Sequence, residues 1–460
     1  MIDDTIAAIA TAPGEAGIGI VRVSGPEAID ILNRLFVSKS GKSIKDFSSR
    51  RLTHGYIVDP KSQQKIDEVL VTYMKGPYTY TAEDVAEIDC HGGIVSTKRI
   101  LEVVLRYGAR IAEPGEFTKR AFLNGRIDLA QAEAVIDLIA AKTEKGFDIA
   151  LEQLEGALSK EVKHIRNQLL EMIAHITVNI DFPEEDIEEI TYETLMKQGN
   201  DIIEKIGKLL ESAHMGKILR EGLNTVIIGK PNVGKSSLLN ALLKEARAIV
   251  TEVPGTTRDI IEEYISLKGI PLKIIDTAGI RETEDIVEKI GVERSKAFFN
   301  KADLVIFVLN AAEALTEEDK RIIGYLHDKE TIVLLNKTDL PAVLSEEEIE
   351  SILPHKRIIK ISALEGIGIE ALENTIVHMV YGGEVKQKDQ SLITNVRHKN
   401  SLEKAKNSMH DAMDATANGM PLDFVEVDIR DTWEYLGEIT GDTVSEDIID
   451  KIFANFCLGK

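Results

Sequence analysis

Cysteine is nearly missing from this chain: 460 residues contain two, Cys90 and Cys457. No disulfide framework can be built from such a pair, and a reducing cytoplasm is the expected setting. Long apolar runs are missing as well, so no membrane span and no membrane partner are expected. The opening Met1-Ile-Asp-Asp4 is acidic where an export signal would be basic, which argues against secretion. Basic charge is in deficit: 55 Lys and Arg against 77 Asp and Glu leave a net charge of −22. That excludes a broad, non-specific grip on nucleic acid, though neither a local basic patch nor a grip shared with a partner. There is no internal repeat, and no low-complexity segment beyond Glu346-Glu-Glu348, which reads as a solvated helix start. The single tryptophan, Trp433, reads as helical core. What is present is an ordinary globular share of hydrophobic residues, 43%, in a chain too long for one core. Two to four domains are expected.

Residues 1–118 read as a mixed α/β domain. Ala16-Gly-Ile-Gly-Ile-Val-Arg-Val-Ser24 alternates as a half-buried strand does, with Arg22 inside it. Ser24-Gly-Pro26 breaks it, and Glu27 to Phe36 has helical spacing. Residues 68–74 and 85–90 are further strands. Cys90, ending the second, reads as packing. His91-Gly-Gly93 follows and leads into a helix to about Tyr107, and Glu113-Pro-Gly-Glu116 is a strong turn near the domain edge. Residues 119–219 are helical almost throughout, with an apolar stripe in Ala130-Gln-Ala-Glu-Ala-Val-Ile-Asp-Leu-Ile-Ala-Ala141 and one break at Asp181-Phe-Pro-Glu-Glu185. Such helices cannot close a core alone. Helical periodicity returns over 381–460, so the two stretches read as halves of one discontinuous helical domain, with 220–380 inserted between them.

The insertion carries the chemistry. Gly229-Lys-Pro-Asn-Val-Gly-Lys-Ser-Ser237 fits G-x-x-x-x-G-K-[ST] between a short apolar strand and a helix. Its glycines let successive N–H groups point at phosphate oxygens, and the helix N-terminus adds partial positive charge. Asn232, Val233, Gly234, Lys235, Ser236 and Ser237 are expected to hold the nucleotide, Lys235 at the outer phosphates and the Ser236 hydroxyl on magnesium. The polar loop Thr251-Glu-Val-Pro-Gly-Thr-Thr-Arg-Asp259 can bring a second hydroxyl from Thr257 or Thr256. After a hairpin, Asp276-Thr277-Ala278-Gly279 ends a strand with an acid suited to magnesium and a glycine suited to close phosphate approach. Asn336-Lys337-Thr-Asp339 ends another. Asp339 can accept two hydrogen bonds from guanine, and against adenine a buried carboxylate there would lose both. Ser362-Ala363 can close over the base. Four motifs in order, each at a strand end, read as a Ras-like P-loop GTPase domain binding GTP or GDP.

This block resembles the translation-factor-related small GTPases. In Ras-like members a catalytic glutamine follows D-T-A-G. Here Ile280 follows, which cannot orient water, so help must come from elsewhere or hydrolysis is crippled. Asn232 offers an amide oxygen, and Thr251 and Val253 offer backbone carbonyls, all suited to a hard cation. Glu288, on the stretch after D-T-A-G, is a candidate for positioning water. Arg258 reads as a salt-bridge partner rather than a finger.

The domain order, Gly115-Glu-Phe-Thr-Lys-Arg-Ala-Phe-Leu-Asn124, Leu129-Ala-Gln-Ala-Glu133 and the terminal Phe456-Cys-Leu-Gly-Lys460 together resemble the MnmE (TrmE) family of tRNA-modification GTPases across essentially the whole chain. The resemblance implies an N-terminal tetrahydrofolate-binding-like fold that makes a homodimer, and GTPase domains that pair in a potassium-dependent way. It implies work with the flavoprotein MnmG, as a heterotetramer, on carbon 5 of the wobble uridine of certain tRNAs. An aminomethyl or carboxymethylaminomethyl group is placed there, with 5-formyl-tetrahydrofolate or a related folate supplying the one-carbon unit. By position it assigns potassium to Asn232, Thr251, Val253 and Thr256, magnesium to Ser236 and Thr257, catalysis to Glu288, and folate contacts to Arg22, Glu87, Arg126 and Lys460. Relatives often have lysine where Arg126 stands, and the two cations are not interchangeable. His91-Gly-Gly93 is either part of the folate pocket or a turn, and Cys457 either a reactive thiol or a buried small side chain. Two other readings compete: a ribosome-assembly switch, and a folate-binding module whose GTPase is vestigial. The first, in its KH-bearing form, lacks the required G-x-x-G clamp after residue 380.

Overall fold

In the computed structural model, residues 4–181, 191–245, 248–249, 263–275, 299–381, 392–457 and 459 are described. The chain divides into two compact units, Met1–Ile136 with Glu434–Lys460, and Asp137–Trp433.

The first unit is built on seven strands: β1 Ile6–Ile9, β2 Ala16–Ser24, β3 Phe36–Ser38, β4 Thr53–Val58, β5 Lys65–Met74, β6 Val85–Gly92 and β7 Arg110–Ile111. Their order is β3-β4-β5-β6-β2-β1-β7. Every neighbour is antiparallel except β1 with β7. Period-two alternation sends Val21, Val23, Val69, Val71 and Ile88 to one face, against the helices Ala28–Leu35 and Ile94–Arg106. Arg22 and Glu87, opposite each other in register, fall on the other face. The sequence pattern shows β2, β5 and β6 but not β1, β3, β4 or β7, which are short or lack clean turn signals. The helix Glu116–Leu123 packs through Ala121 against Phe453 and Phe456. Gly115 starts that helix at φ +67, and a Cβ on it would lie 2.7 Å from Phe456. Only glycine fits there.

The second unit holds another seven strands: β8 Leu223–Ile228, β9 Ala248–Ile249, β10 Glu263–Leu267, β11 Ile270–Ile274, β12 Leu304–Asn310, β13 Thr331–Asn336 and β14 Arg357–Lys360. They run in the order β14-β13-β12-β8-β11-β10-β9. From β14 to β11 the pairs are parallel; the β10–β11 hairpin and β9 are antiparallel. Every residue of β12 is buried, alternate side chains feeding two cores on opposite faces. That is the pattern of a parallel sheet covered on both sides. In the helical part, Tyr192–Glu211 lies along Val396–Ala417 so closely that a Cβ on Gly199 would sit 2.1 Å from the Met413 sulfur. Trp433 is half-buried, with the Arg166 guanidinium 4.1 Å above its ring. Among the described residues no helix is long and apolar enough to cross a membrane.

Candidate nucleotide site and a second polar site

β8 ends at Ile228 and the phosphate loop begins at once. Gly229 stands at φ +146, and a Cβ there would lie 2.4 Å from the Val308 carbonyl oxygen. The loop therefore leaves the sheet in a contact with β12 that glycine alone permits. Asn232 and Gly234 then take positive φ, +63 and +103, and the helix Lys235–Glu245 starts. Lys235 is only 9% exposed. Its ammonium donates to the carbonyl oxygens of Gly229 (2.7 Å) and Lys230 (2.8 Å). Burial holds this lysine below the usual range, with Glu318 opposing. Arriving phosphate charge would favour the cation that burial disfavours. Asn232, Ser236 and Ser237 are exposed at the apex of the loop and the first turn of its helix, while Val233 is buried beneath them.

The loop is pinned from the base side. Asn336, buried at the end of β13, donates from Nδ2 to the Val233 carbonyl at 2.7 Å. Its Oδ1 accepts from the Ala363 N–H at 3.0 Å. One side-chain amide thus joins the phosphate loop, the N-K-T-D segment and the Ser362-Ala363 turn. The fully buried Ser362 hydroxyl donates to Asp339 Oδ1 at 2.7 Å and fixes that carboxylate. Lys337 adopts φ +66 in the turn between them. Asp339 itself is exposed, not buried as the argument against adenine supposes. It lies three residues past the strand end, where the chain has left the sheet, so its burial has to come from the base. Thr251, Val253, Thr256, Thr257, Arg258, Asp276, Thr277, Ala278, Gly279, Ile280, Glu288 and Lys460 lie outside the described residues.

A second cluster sits on the polar face of the first unit's sheet. Arg22 Nε donates to Glu87 Oε1 at 2.9 Å. The Arg22 guanidinium lies 5.8 Å from the ring centroids of both Tyr80 and Phe117. Arg126, exposed, stacks with its guanidinium 4.7 Å from the centroid of the same Tyr80 ring. The structure therefore brings Arg22, Glu87 and Arg126 together around an aromatic ring. The sequence reading missed Tyr80 and Phe117. It also missed Arg120, which is fully buried and ties Asp4, Glu83 and Glu116 together. The Glu116–Arg120 spacing was the available signal. Cys90 is buried, its thiol donating to the Gly19 carbonyl at 3.2 Å, and burial pushes that thiol up. Cys457 is exposed, which removes the buried alternative for it.

Comparison with known proteins matches residues 129–457 to the family model described as MnmE helical domain. Residues 5–126 match the model described as GTP-binding protein TrmE N-terminus. The chain is 63% identical over 459 residues to the tRNA modification GTPase MnmE of Alkaliphilus metalliredigens, covering 100% of each. It is 58% identical over 459 residues to the protein of that name from Clostridioides difficile, again covering 100% of each. A solved FeoB G-domain from Methanococcus jannaschii is 26% identical and covers 34% of this chain and 96% of its own, at a TM-score of 0.26, too low to speak for the fold.

Proposed function

This chain belongs to the MnmE family of tRNA modification GTPases, and we propose on that premise that it hydrolyses GTP as part of modifying tRNA. The observation that carries the GTPase half is the Asn336 bridge, which holds the phosphate loop and the base-side segment in one geometry. Phosphoryl transfer needs little more than such positioning and neutralisation of charge. Lys235 meets the outer phosphates, and Asp339, oriented by Ser362, reads guanine. Ser236 and Thr257 would hold magnesium.

The finer reading is that hydrolysis depends on potassium. Asn232, Thr251, Val253 and Thr256 would hold the ion. The fit rests on Asn232: it is exposed at the loop apex, and its amide makes no hydrogen bond among the described residues. Bound potassium would supply the positive charge that an arginine finger brings elsewhere. Glu288 would orient the attacking water in the place that Ile280 cannot fill.

The folate reading rests on the second cluster. A Glu87 carboxylate paired to Arg22, with Arg126 stacked on Tyr80, offers an acceptor and two cations to a folate, whose pterin ring carries hydrogen-bond donors and whose glutamyl tail carries carboxylates. Lys460 would complete it, and 5-formyl-tetrahydrofolate or a relative would supply one carbon. We further read the chain as a cytoplasmic homodimer whose GTPase domain, 220–380, is inserted between helical halves 119–219 and 381–460, behind the N-terminal domain 1–118. It would act with the flavoprotein MnmG on carbon 5 of the tRNA wobble uridine. Mass analysis of tRNA nucleosides from cells lacking this gene tests the whole, and unchanged wobble uridines would reject it. Hydrolysis of GTP by the purified chain in potassium and in sodium tests the ion dependence.

A further inference from the structure

We propose that Lys230, the second residue of the phosphate loop, is a positioning residue for hydrolysis: its ion pair with Glu313 and Asp319 sets where Asn232 projects. The inference rests on the reading of Asn232 as a potassium ligand. Lys230 stands in a position that the loop pattern leaves open, and no role falls to it from the pattern itself. Yet its side chain is only 12% exposed. Its ammonium lies 2.7 Å from Glu313 Oε2 and 3.5 Å from Asp319 Oδ2.

Both partners are themselves fixed. Asp319, 1% exposed, sits in the first turn of the helix Glu317–Ile323. Its Oδ2 accepts from the Thr316 N–H at 2.9 Å and hydroxyl at 2.6 Å, and its Oδ1 has no hydrogen-bond partner. Glu313 accepts from Asn310 Nδ2 at 2.5 Å, and Asn310 is the last residue of β12. The lysine is thus moored to the sheet through one carboxylate and to a capped helix through the other. A carboxylate as buried as Asp319 is strongly unfavourable without its cation. Burial works against the Lys230 charge, and the two carboxylates more than offset it.

The consequence for the loop is geometric. Its entrance is anchored by the Lys230 side chain, and by the Lys230 carbonyl on the Lys235 ammonium. Its exit is anchored by the Val233 carbonyl on Asn336. Two residues span the gap, Pro231 and Asn232. The proline ring fixes one φ near about −65°, and Asn232 holds the other at +63. With both φ angles set and both ends anchored, the backbone position from which the Asn232 side chain projects follows from where Lys230 is held.

The test is steady-state GTP hydrolysis by the full chain across a potassium series, for the wild type, Lys230→Met, Lys230→Arg and Asp319→Asn. Lys230→Met is expected to lower kcat about tenfold and to raise the half-saturating potassium several-fold, with KM for GTP within about threefold of wild type. Lys230→Arg restores the potassium response, since it keeps the charge. Asp319→Asn shifts the response in the same direction as Lys230→Met and serves if that variant folds poorly. A Lys230→Met chain with wild-type potassium dependence overturns the inference, and so does one whose KM rises as steeply as kcat falls, the mark of a merely structural anchor. A wild-type chain indifferent to potassium rejects instead the reading on which the inference rests, and the inference falls with it.

Discussion

The two units each carry a seven-stranded sheet, yet they use it in opposite ways. In the second unit the sheet is buried on both faces; β12 contributes no exposed residue at all. Polar chemistry has nowhere to go but the strand ends, and that is where Gly229, Asn336 and Ser362 stand. In the first unit, helices cover one face and the other keeps polar side chains, so a site can be laid across the strands themselves, Arg22 on β2 facing Glu87 on β6. A covered parallel sheet puts its site in loops made of backbone N–H groups. A half-covered antiparallel sheet puts it in side chains set by register.

If that contrast is right, the loop site should fail through its backbone and the face site through its charges. The largest effect is expected for Gly234→Ala. Gly234 holds φ +103, and a Cβ would lie 2.1 Å from Asn336 Nδ2. Strain of about 3 kcal/mol weakens GTP binding on the order of a hundredfold, read by nucleotide titration. A variant that binds GTP normally would mean that the loop is not built from its backbone as described. Next comes Asp339→Ala, which removes the carboxylate of the base-side turn. Loss of about 2 kcal/mol, roughly thirtyfold, is expected for GTP, with the weak binding of ATP unchanged; equal losses for both nucleotides would remove Asp339 from base recognition. Third, Glu87→Gln keeps the shape of the face site and removes its charge. If this face takes a folate as proposed, binding of that folate should weaken by about 1 kcal/mol, about fivefold, while GTP affinity stays as it was. Equal weakening of both ligands would break the separation of the two sites.

The same contrast explains what was legible in the sequence. Gly229 to Ser237, Asn336 to Asp339 and Ser362-Ala363 are contiguous words, because a loop at a strand end is made of neighbours in the chain. They were readable with no structure, down to Lys235 and Asp339. The face site is assembled from Arg22, Tyr80, Glu87 and Arg126. Arg22 and Glu87 are 65 residues apart and meet only through the register of β2 with β6. Nothing local marks them, and without the family resemblance they would have passed as ordinary strand polar residues. Tyr80 and Phe117 escaped notice for the same reason. Lys230 escaped for another: the loop pattern counts its position as free, and its partners come from far along the chain, Glu313 from the turn after β12 and Asp319 from the helix start that follows it. The short strands β1, β3 and β7 were illegible because runs of 4, 3 and 2 residues hold too little alternation to be told from loop.

The smallest effect concerns how wet the polar face is. Asp89 lies on β6, two residues from Glu87 and on the same face, with Leu70 and Ile20 as its cross-strand neighbours. Burial first, and the nearby Glu87 charge second, raise its carboxyl above the ordinary aspartate value. A raised pKa means that the folded chain holds this proton over a range where the unfolded chain has released it. Stability then falls as pH rises from the unfolded value through the folded one, and stays lower above it. Asp89→Asn removes that loss. The variant should be more stable than wild type at neutral pH by less than about 1 kcal/mol, and the difference should vanish as pH falls below the unfolded aspartate value. Thermal unfolding of both chains at several pH values reads it. If Asp89→Asn is less stable at neutral pH, the carboxylate is well solvated or paired, and the face is as open to water as an ordinary surface.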